Sequence, residues 1–355
     1  MEHNTYSHLP DVRKEKPPNL IYYFRNGGTQ MKRITGIAAA LALALPIGMG
    51  GTAAMAQIEV KVPLETPAAH IKTRTAEVFK KTLEENSGGK YKVTLYPSAQ
   101  LMPGKDEVPA VARGQVQMAM PTIGYVSTIE PAFKLLEVPM LFDSYDAMDK
   151  VLTGPVGQDL LGRLGAKRLM GAGFWYDGFV ALWSQSPIRT LADLKDKKIR
   201  VFPSEVLANS TSALGAAPTA IPGAEVFLAL KQGVADGAWT TAPYGNQIKL
   251  YEVLKSVTKV NLFPFGYVVV VNPAWYKKQG AEGQKMINDA LAAGKAYNLK
   301  EITNSINDAY KNVAANGMEV VEFSNEERGR WITALKPLYD GLDDEVKSLL
   351  KKVEK

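Results

Sequence analysis

The chain has 355 residues, with 42 Lys+Arg against 36 Asp+Glu, an apolar fraction of 46% and no cysteine. A formal excess of +6 with no basic run interleaved with aromatics argues against a nucleic-acid partner, and the lack of cysteine excludes disulfides and a cysteine-borne lipid anchor. The length exceeds an ordinary single domain and is ample to bury a core without covalent staples.

Residues 1–30 are polar, with Pro17, Pro18, Gly27 and Gly28 and no apolar periodicity. They read as a non-native or disordered extension ahead of a start at Met31. Met31-Lys32-Arg33, the apolar run from Ile34 to Met49 and then Ala54-Met55-Ala56 follow the order of an export signal, so residues 31–56 form a signal peptide cleaved after Ala56 and the product is periplasmic. Pro46 interrupts the run, which falls short of the roughly 20 apolar residues that span a bilayer. The product is therefore not membrane-embedded.

Beyond the signal, Glu59 to Pro63 reads as a strand and Ala68 to Asn86 as a helix with Ile71, Phe79 and Leu83 near one face. Tyr91 to Tyr96 alternates as a strand, and a short helix follows Pro103-Gly104 and stops at Gly114. Val116 to Met120 and Leu135 to Val138 read as further strand or buried segments, and Asp146 to Leu164 as helical. Arg168 to Trp175 and Phe179 to Gln185 are apolar runs separated by Tyr176-Asp177-Gly178, a turn signal where the chain passes between domains. Ile199 to Phe202 is a strand, Ser204 an N-cap and Glu205 to Leu214 a helix closed by Gly215. Thr219 to Ile221, Gly223 to Gln232 and Val234 to Trp239 repeat the cycle. A βαβαβ unit of this kind predicts parallel strands with ligands at their carboxyl ends. Tyr267 to Val271 is a strand that returns the chain to the first domain, and Glu282 to Ala315 keeps helical periodicity far beyond the usual 10–14 residues.

Several segments in this order carry a resemblance: SGGKYKVTLYPSAQL at Ser87 to Leu101, ARGQVQMAM at Ala112 to Met120, LLEVPMLF at Leu135 to Phe142, SPIRTLADLKDKKIRV ending at Val201, and then LGAAPT, EVFLAL and QGVADG. Together they resemble the solute-binding subunit of TRAP transporters, the dicarboxylate-binding (DctP-type) family. The resemblance implies an α/β, periplasmic binding protein-like fold of two α/β lobes joined by hinge strands, with a long helix across both. It places residues 57–177 plus 266–303 in lobe I and 178–265 plus 304–355 in lobe II. It also implies capture of an organic acid anion and its delivery to a membrane permease, with no enzymatic step.

A lone arginine at a strand end more often pairs within its own fold than with a ligand. In the family the arginine of the KIRV position makes a bidentate bridge to the substrate carboxylate, and Arg200 matches it. Guanidinium suits that task because its planar fork donates two parallel charge-assisted bonds. Many members carry a second arginine in a GFR or GTR triplet, which here is Gly178-Phe179-Val180. Thr240 stands where a pocket asparagine is common, and Gly223 where an aromatic often sits. These departures favour a monocarboxylate with an apolar or aromatic body over a C4-dicarboxylate, packed against Trp239, Val180 and Trp175 or Tyr176. Thr122 aligns with a ligand-contacting position of the first domain, and His70 starts a helix at the cleft mouth. Core packing is the rival reading for the tryptophans, and is the one taken for Trp183 and Trp275.

No cofactor is implied. The chain has three histidines, of which His70 alone lies beyond residue 56, and no metal-ligand spacing. The acidic position through which some 2-oxo acid binders of the family hold a cation is Trp239 here. Two rivals remain open: a ligand-sensing module docking on a receptor, and a periplasmic hydrolase or lyase using Asp177 or Glu137 as base.

Overall fold

A computed structural model describes residues 57–353. The extension, the export signal and the cleavage after Ala56 lie outside the described residues. Among the described residues ten strands run in chain order: β1 (Ile58–Pro63), β2 (Tyr91–Tyr96), β3 (Met118–Ala119), β4 (Met170–Ser184), β5 (Lys198–Val201), β6 (Ala217–Ala220), β7 (Gly237–Thr241), β8 (Ser256–Thr258), β9 (Pro264–Val271) and β10 (Glu319–Val321).

β1 and β2 pair in parallel, as a strand–helix–strand crossover through the helix Ile71–Asn86 requires. That helix turns Ala76, Phe79 and Leu83 into a core with Val60, Val62 and Val93. The repeat read from the sequence folds as β5 parallel to both β6 and β7, and its turns are made by Ser204 capping the helix Glu205–Ala213 and by Gly215 at φ +87°.

Tyr176-Asp177-Gly178 is not a turn. β4 runs unbroken for 15 residues, and its first part pairs antiparallel with β9 while Val180 to Ser184 pairs with β7. The supposed turn residues are absorbed as a register irregularity between Tyr176 and Gly178, with Gly178 at φ +152°, so the strand bends between two sheets without reversing. β9 makes the return crossing, with Pro264 opposite Phe179 and Val271 opposite Met170. Of the two readings for Leu135 to Val138, the buried segment holds and the strand does not: all four residues are buried, and Pro131–Glu137 is a 3₁₀ helix. The region from Asp146 to Leu164 divides into Tyr145–Thr153 and Pro155–Arg163 at Gly154, because Pro155 opens the second helix.

The helix Gly280–Ala315 has 36 residues, about 54 Å at 1.5 Å rise per residue. Ile287, Ala290 and Leu291 join the core of the first lobe, and Ala309 and Val313 join that of the second, so one rigid rod touches both. In its middle Asn298, fully buried, grips the hinge strand: Oδ1 accepts from Tyr176 N–H at 2.7 Å and Nδ2 donates to Tyr176 O at 2.9 Å. We propose the division 57–177 plus 266–303 and 178–265 plus 304–355 with one exception. The C-terminal helix Asp344–Val353 packs Val346, Leu349 and Leu350 with Phe133 and Leu160, which puts it with lobe I. Among the described residues no helix is long and apolar enough to cross a membrane.

Candidate functional site

A cavity opens where the strand ends of the two lobes face each other. Lobe I contributes Glu65 and Thr66 from the end of β1, Lys72 from the following helix, Thr122 and Tyr125 from the segment after β3, and Asp177 and Tyr267 from the crossing strands. Lobe II contributes Arg200, Phe202, Gly223, Thr240 and Tyr244.

Arg200 reaches this space because Ile199 and Val201, its strand neighbours, turn into the lobe II core while Arg200 projects to the opposite face. Its side chain is 3% exposed. Nε donates to Ile221 O and Nη1 to Trp239 O, both at 2.9 Å. These two carbonyls fix the plane of the guanidinium and leave three of its five N–H groups unspent. No carboxylate among the described residues lies within ion-pair distance. Burial pushes its pKa down to about 10, which still leaves it charged at neutral pH. A buried cation that feels Glu65 only across the cavity and forms no ion pair is costly unless an anion arrives to meet it.

Asp177 is half engaged: Oδ2 accepts from Thr241 Oγ1 at 2.9 Å and Tyr267 OH at 3.1 Å, while Oδ1 lies 2.9 Å from His70 Nε2 without the alignment of a hydrogen bond. His70 Nδ1 accepts the Lys72 N–H, which puts the ring proton on Nε2, toward Asp177. Lys72 is 1% exposed, and its ammonium makes no hydrogen bond or ion pair among the described residues and lies 4.4 Å from the Tyr267 ring centroid. Glu65 Oε1 accepts the Gly223 N–H at 3.1 Å, a direct tie between the lobes.

Of the residues singled out from the sequence, Arg200, Thr240 and Thr122 line the cavity. The other five do not, each for a local reason. Trp239 turns its ring into the lobe II core, 6.2 Å from Trp331, with Nε1 donating to Thr211 Oγ1; only its backbone carbonyl serves the site. Val180 pairs with Thr241 and is wholly buried beside Leu182 and Trp239, so an arginine there would be a buried charge and not a second anchor. Trp175 packs in the lobe I core against the long helix. Tyr176 points the other way from the same strand, donating its hydroxyl to Asp149 Oδ1 at 2.6 Å, with Lys295 Nζ beside both. His70 stands behind Asp177 and not at the mouth.

Glu65, Lys72, Tyr125, Tyr244 and Phe202 were missed. The strand-end rule that selected Arg200 would have reached Glu65 and Thr66 had it been applied to β1. Lys72 heads the apolar stripe of Ala76, Phe79 and Leu83 at helical spacing, where a lysine is out of place unless it faces a buried polar group.

Glu137 lies outside the cavity, at the lobe contact. Its Oε2 accepts from Ser127 Oγ at 3.2 Å. Burial pushes its carboxyl up to about 7, against the pull of the Ser204 and Ser127 hydroxyls and Lys134. The folded pKa is above the ordinary value near 4.5, so the stability it contributes is complete below pH ~4.5 and is lost as pH rises through ~7. Glu137→Gln is expected to melt higher than the parent at pH 8, by the equivalent of about 2–3 kcal/mol, with the gap closing at pH 4.5. Parallel melting curves from pH 4.5 to 8 would show that its ionisation does not limit stability. Among the described residues no group of three or more His, Cys, Asp or Glu is placed to hold a metal ion.

Residues 64–345 match the family model described as bacterial extracellular solute-binding protein, family 7 (DctP). A C4-dicarboxylate-binding periplasmic protein DctP of Rhodobacter capsulatus is 31% identical over 324 residues, covering 89% of this chain and 95% of the relative. A TRAP periplasmic solute-binding protein of Shewanella oneidensis with bound succinate superposes with a TM-score of 0.81 at 28% identity, over 84% of this chain and 98% of that one. One from Xanthobacter autotrophicus Py2 with bound β-D-galacturonate gives 0.78 at 26%, over 83% and 98%. The βαβαβ block with Arg200 at its strand end, the hinge strands, the rod-like helix and the extent of these matches lead to one conclusion: the chain belongs to the DctP family of TRAP-type bacterial extracellular solute-binding proteins.

Proposed function

We propose that the cavity takes an organic acid with a single carboxylate, held by the free N–H groups of Arg200 while lobe I closes over it. TRAP solute-binding proteins bind organic acids and deliver them to membrane permease subunits. The observation that carries the reading is the buried, ion-pair-free guanidinium of Arg200 at the cavity wall. The preference for one carboxylate rests on charge. Arg200 and Lys72 already face Glu65 and Asp177, so one ligand carboxylate adds one net negative charge and a diacid adds two. At ~4 Å and an effective dielectric of ~20, a second carboxylate near Glu65 would be repelled by about 4 kcal/mol. The apolar walls expected from Val180, Trp175 and Trp239 do not support the preference, since those side chains lie in cores.

One observation favours a second reading: the unspent ammonium of Lys72 could receive a second carboxylate, as a succinate-like ligand would need. A melting-temperature screen with acids of matched length decides between them, because a ligand that binds only the folded state raises the midpoint. Larger shifts with monoacids support one carboxylate. Larger shifts with diacids, lost in Lys72→Met, support the alternative.

No catalytic step is part of the proposal. Glu137 does not line the cavity, and Asp177 spends Oδ2 on Thr241 and Tyr267 and turns Oδ1 to the buried His70, so neither is placed to abstract a proton from a bound acid. Export with cleavage after Ala56 remains part of the proposal, and the mass of the secreted form tests it.

A further inference from the structure

Glu65 occupies a slot made by two glycines on opposite sides of the cleft. A Cβ built on Gly104 would lie 2.5 Å from its Oε2 and one on Gly223 2.8 Å from its Oε1, so any side chain at either place would displace the carboxylate. Gly223 N–H occupies Oε1. No described residue donates a hydrogen bond to Oε2. The cavity also carries unspent hydroxyls: those of Thr122, Tyr125, Thr240 and Tyr244 line it, Tyr125 and Tyr244 beside the same two glycines as Glu65, and none makes a side-chain hydrogen bond among the described residues. Burial pushes both phenols well above their ordinary range, so they stay protonated and able to donate.

An apolar ligand body would shut these groups away from water with nothing to bond to, and each buried unpaired polar group costs binding energy. A body carrying hydroxyls can donate to Glu65 and accept from the tyrosines, threonines and Lys72. Glu65 in addition repels a second carboxylate. We infer that Glu65 is a specificity-determining residue that accepts a hydrogen bond from a ligand hydroxyl, so that the cargo is a hydroxylated monocarboxylic acid. The inference rests on the reading that Arg200 holds the carboxylate, and adds what the rest of the ligand must present.

The test is titration calorimetry with two matched sets, butyrate, erythronate and succinate, and hexanoate, gluconate and adipate, on the parent chain, Glu65→Gln and Arg200→Met. The parent is expected to bind a hydroxylated acid at least ~100-fold more tightly than its unhydroxylated partner, since a site built around hydrogen bonds rejects a ligand that leaves them unmade. Glu65→Gln keeps an oxygen for the Gly223 N–H but loses the charge. It should lower that ratio by about 10-fold and improve diacid binding relative to monoacid.

Equal weakening of every acid in Glu65→Gln would overturn the inference, because Glu65 would then serve only as a tie between the lobes. So would a parent chain that binds butyrate or hexanoate as well as the hydroxylated partner, an outcome that needs no variant to fold. The two readings fail separately: Arg200→Met binding like the parent overturns the carboxylate anchor whatever Glu65 does. No binding of any of the six acids by the parent overturns both.

Discussion

Arg200→Met is expected to lose the ligand-induced rise in melting temperature, with affinity for the carboxylate ligand down by about 2–5 kcal/mol, roughly 30- to 5,000-fold. The size of the effect follows from how the guanidinium is held. Ile221 O and Trp239 O take Nε and one Nη1 hydrogen, so the remaining fork is oriented before the ligand arrives and little entropy is lost on binding. Methionine keeps the length and apolar stem but offers no donor. Lysine restores a charge without a fork and should recover only part of the loss. The unliganded variant should still fold: two carbonyls lose a donor, at about 1–3 kcal/mol each, but a buried cation whose pKa is held down to about 10 is removed as well. Unchanged affinity in a folded Arg200→Met protein would sink the anchor assignment.

The parts of the fold legible in the sequence were those set by local rules. Apolar alternation and end signals located β2, β5 and the helix Glu205–Ala213 to within a residue or two. The periodicity from Glu282 to Ala315 marked the long helix. What misled was punctuation read without its tertiary setting. Tyr176-Asp177-Gly178 has turn composition, yet pairing with β9 on one side and β7 on the other keeps the chain extended. Inter-strand hydrogen bonds and burial outweigh a local turn preference.

For the site, the strand-end rule pointed to Arg200 and Trp239 and the resemblance to Thr240; Arg200 and Thr240 line the cavity, but a strand-end rule does not tell a side chain from a backbone group. Trp239 stands at the right position and gives only its carbonyl. The aromatic candidates failed because neighbouring residues on a strand face opposite sides: Trp175 and Tyr176 enter two cores, while Asp177 is the residue that meets the cavity. Glu65 and Lys72 lie 135 and 128 residues before Arg200 in sequence, and only the folded arrangement joins them to it. No spacing rule spans that separation.

Gly124→Ala is expected to leave both lobes folded and to weaken ligand binding by about 1–3 kcal/mol, roughly 5- to 150-fold. Gly124 lies in the short lobe I helix Ile123–Ser127 at the point where lobe II presents the carbonyl of Pro203. A Cβ there would fall well inside van der Waals distance of that oxygen and 3.3 Å from Glu137 Oε1. Pro203 sits in the two-residue link between Phe202, just past β5, and the Ser204 cap of the helix Glu205–Ala213, so turning its carbonyl aside disturbs the link between that helix and the strand that carries Arg200. The backbone of Gly124 has no positive φ, so alanine fits lobe I itself and, as a better helix former, should leave its melting unchanged or slightly raised. The methyl group therefore acts on closure alone, wedging the lobes apart beside the cavity while Arg200 and its donors stay intact. Scattering should then show less ligand-induced compaction than in the parent, with the affinity loss shared by every acid that binds, in contrast to the ligand-selective change at Glu65. Parent-like affinity together with parent-like compaction would mean that the Gly124–Pro203 contact is absent from the ligand-bound state, and that closure brings the lobes together elsewhere.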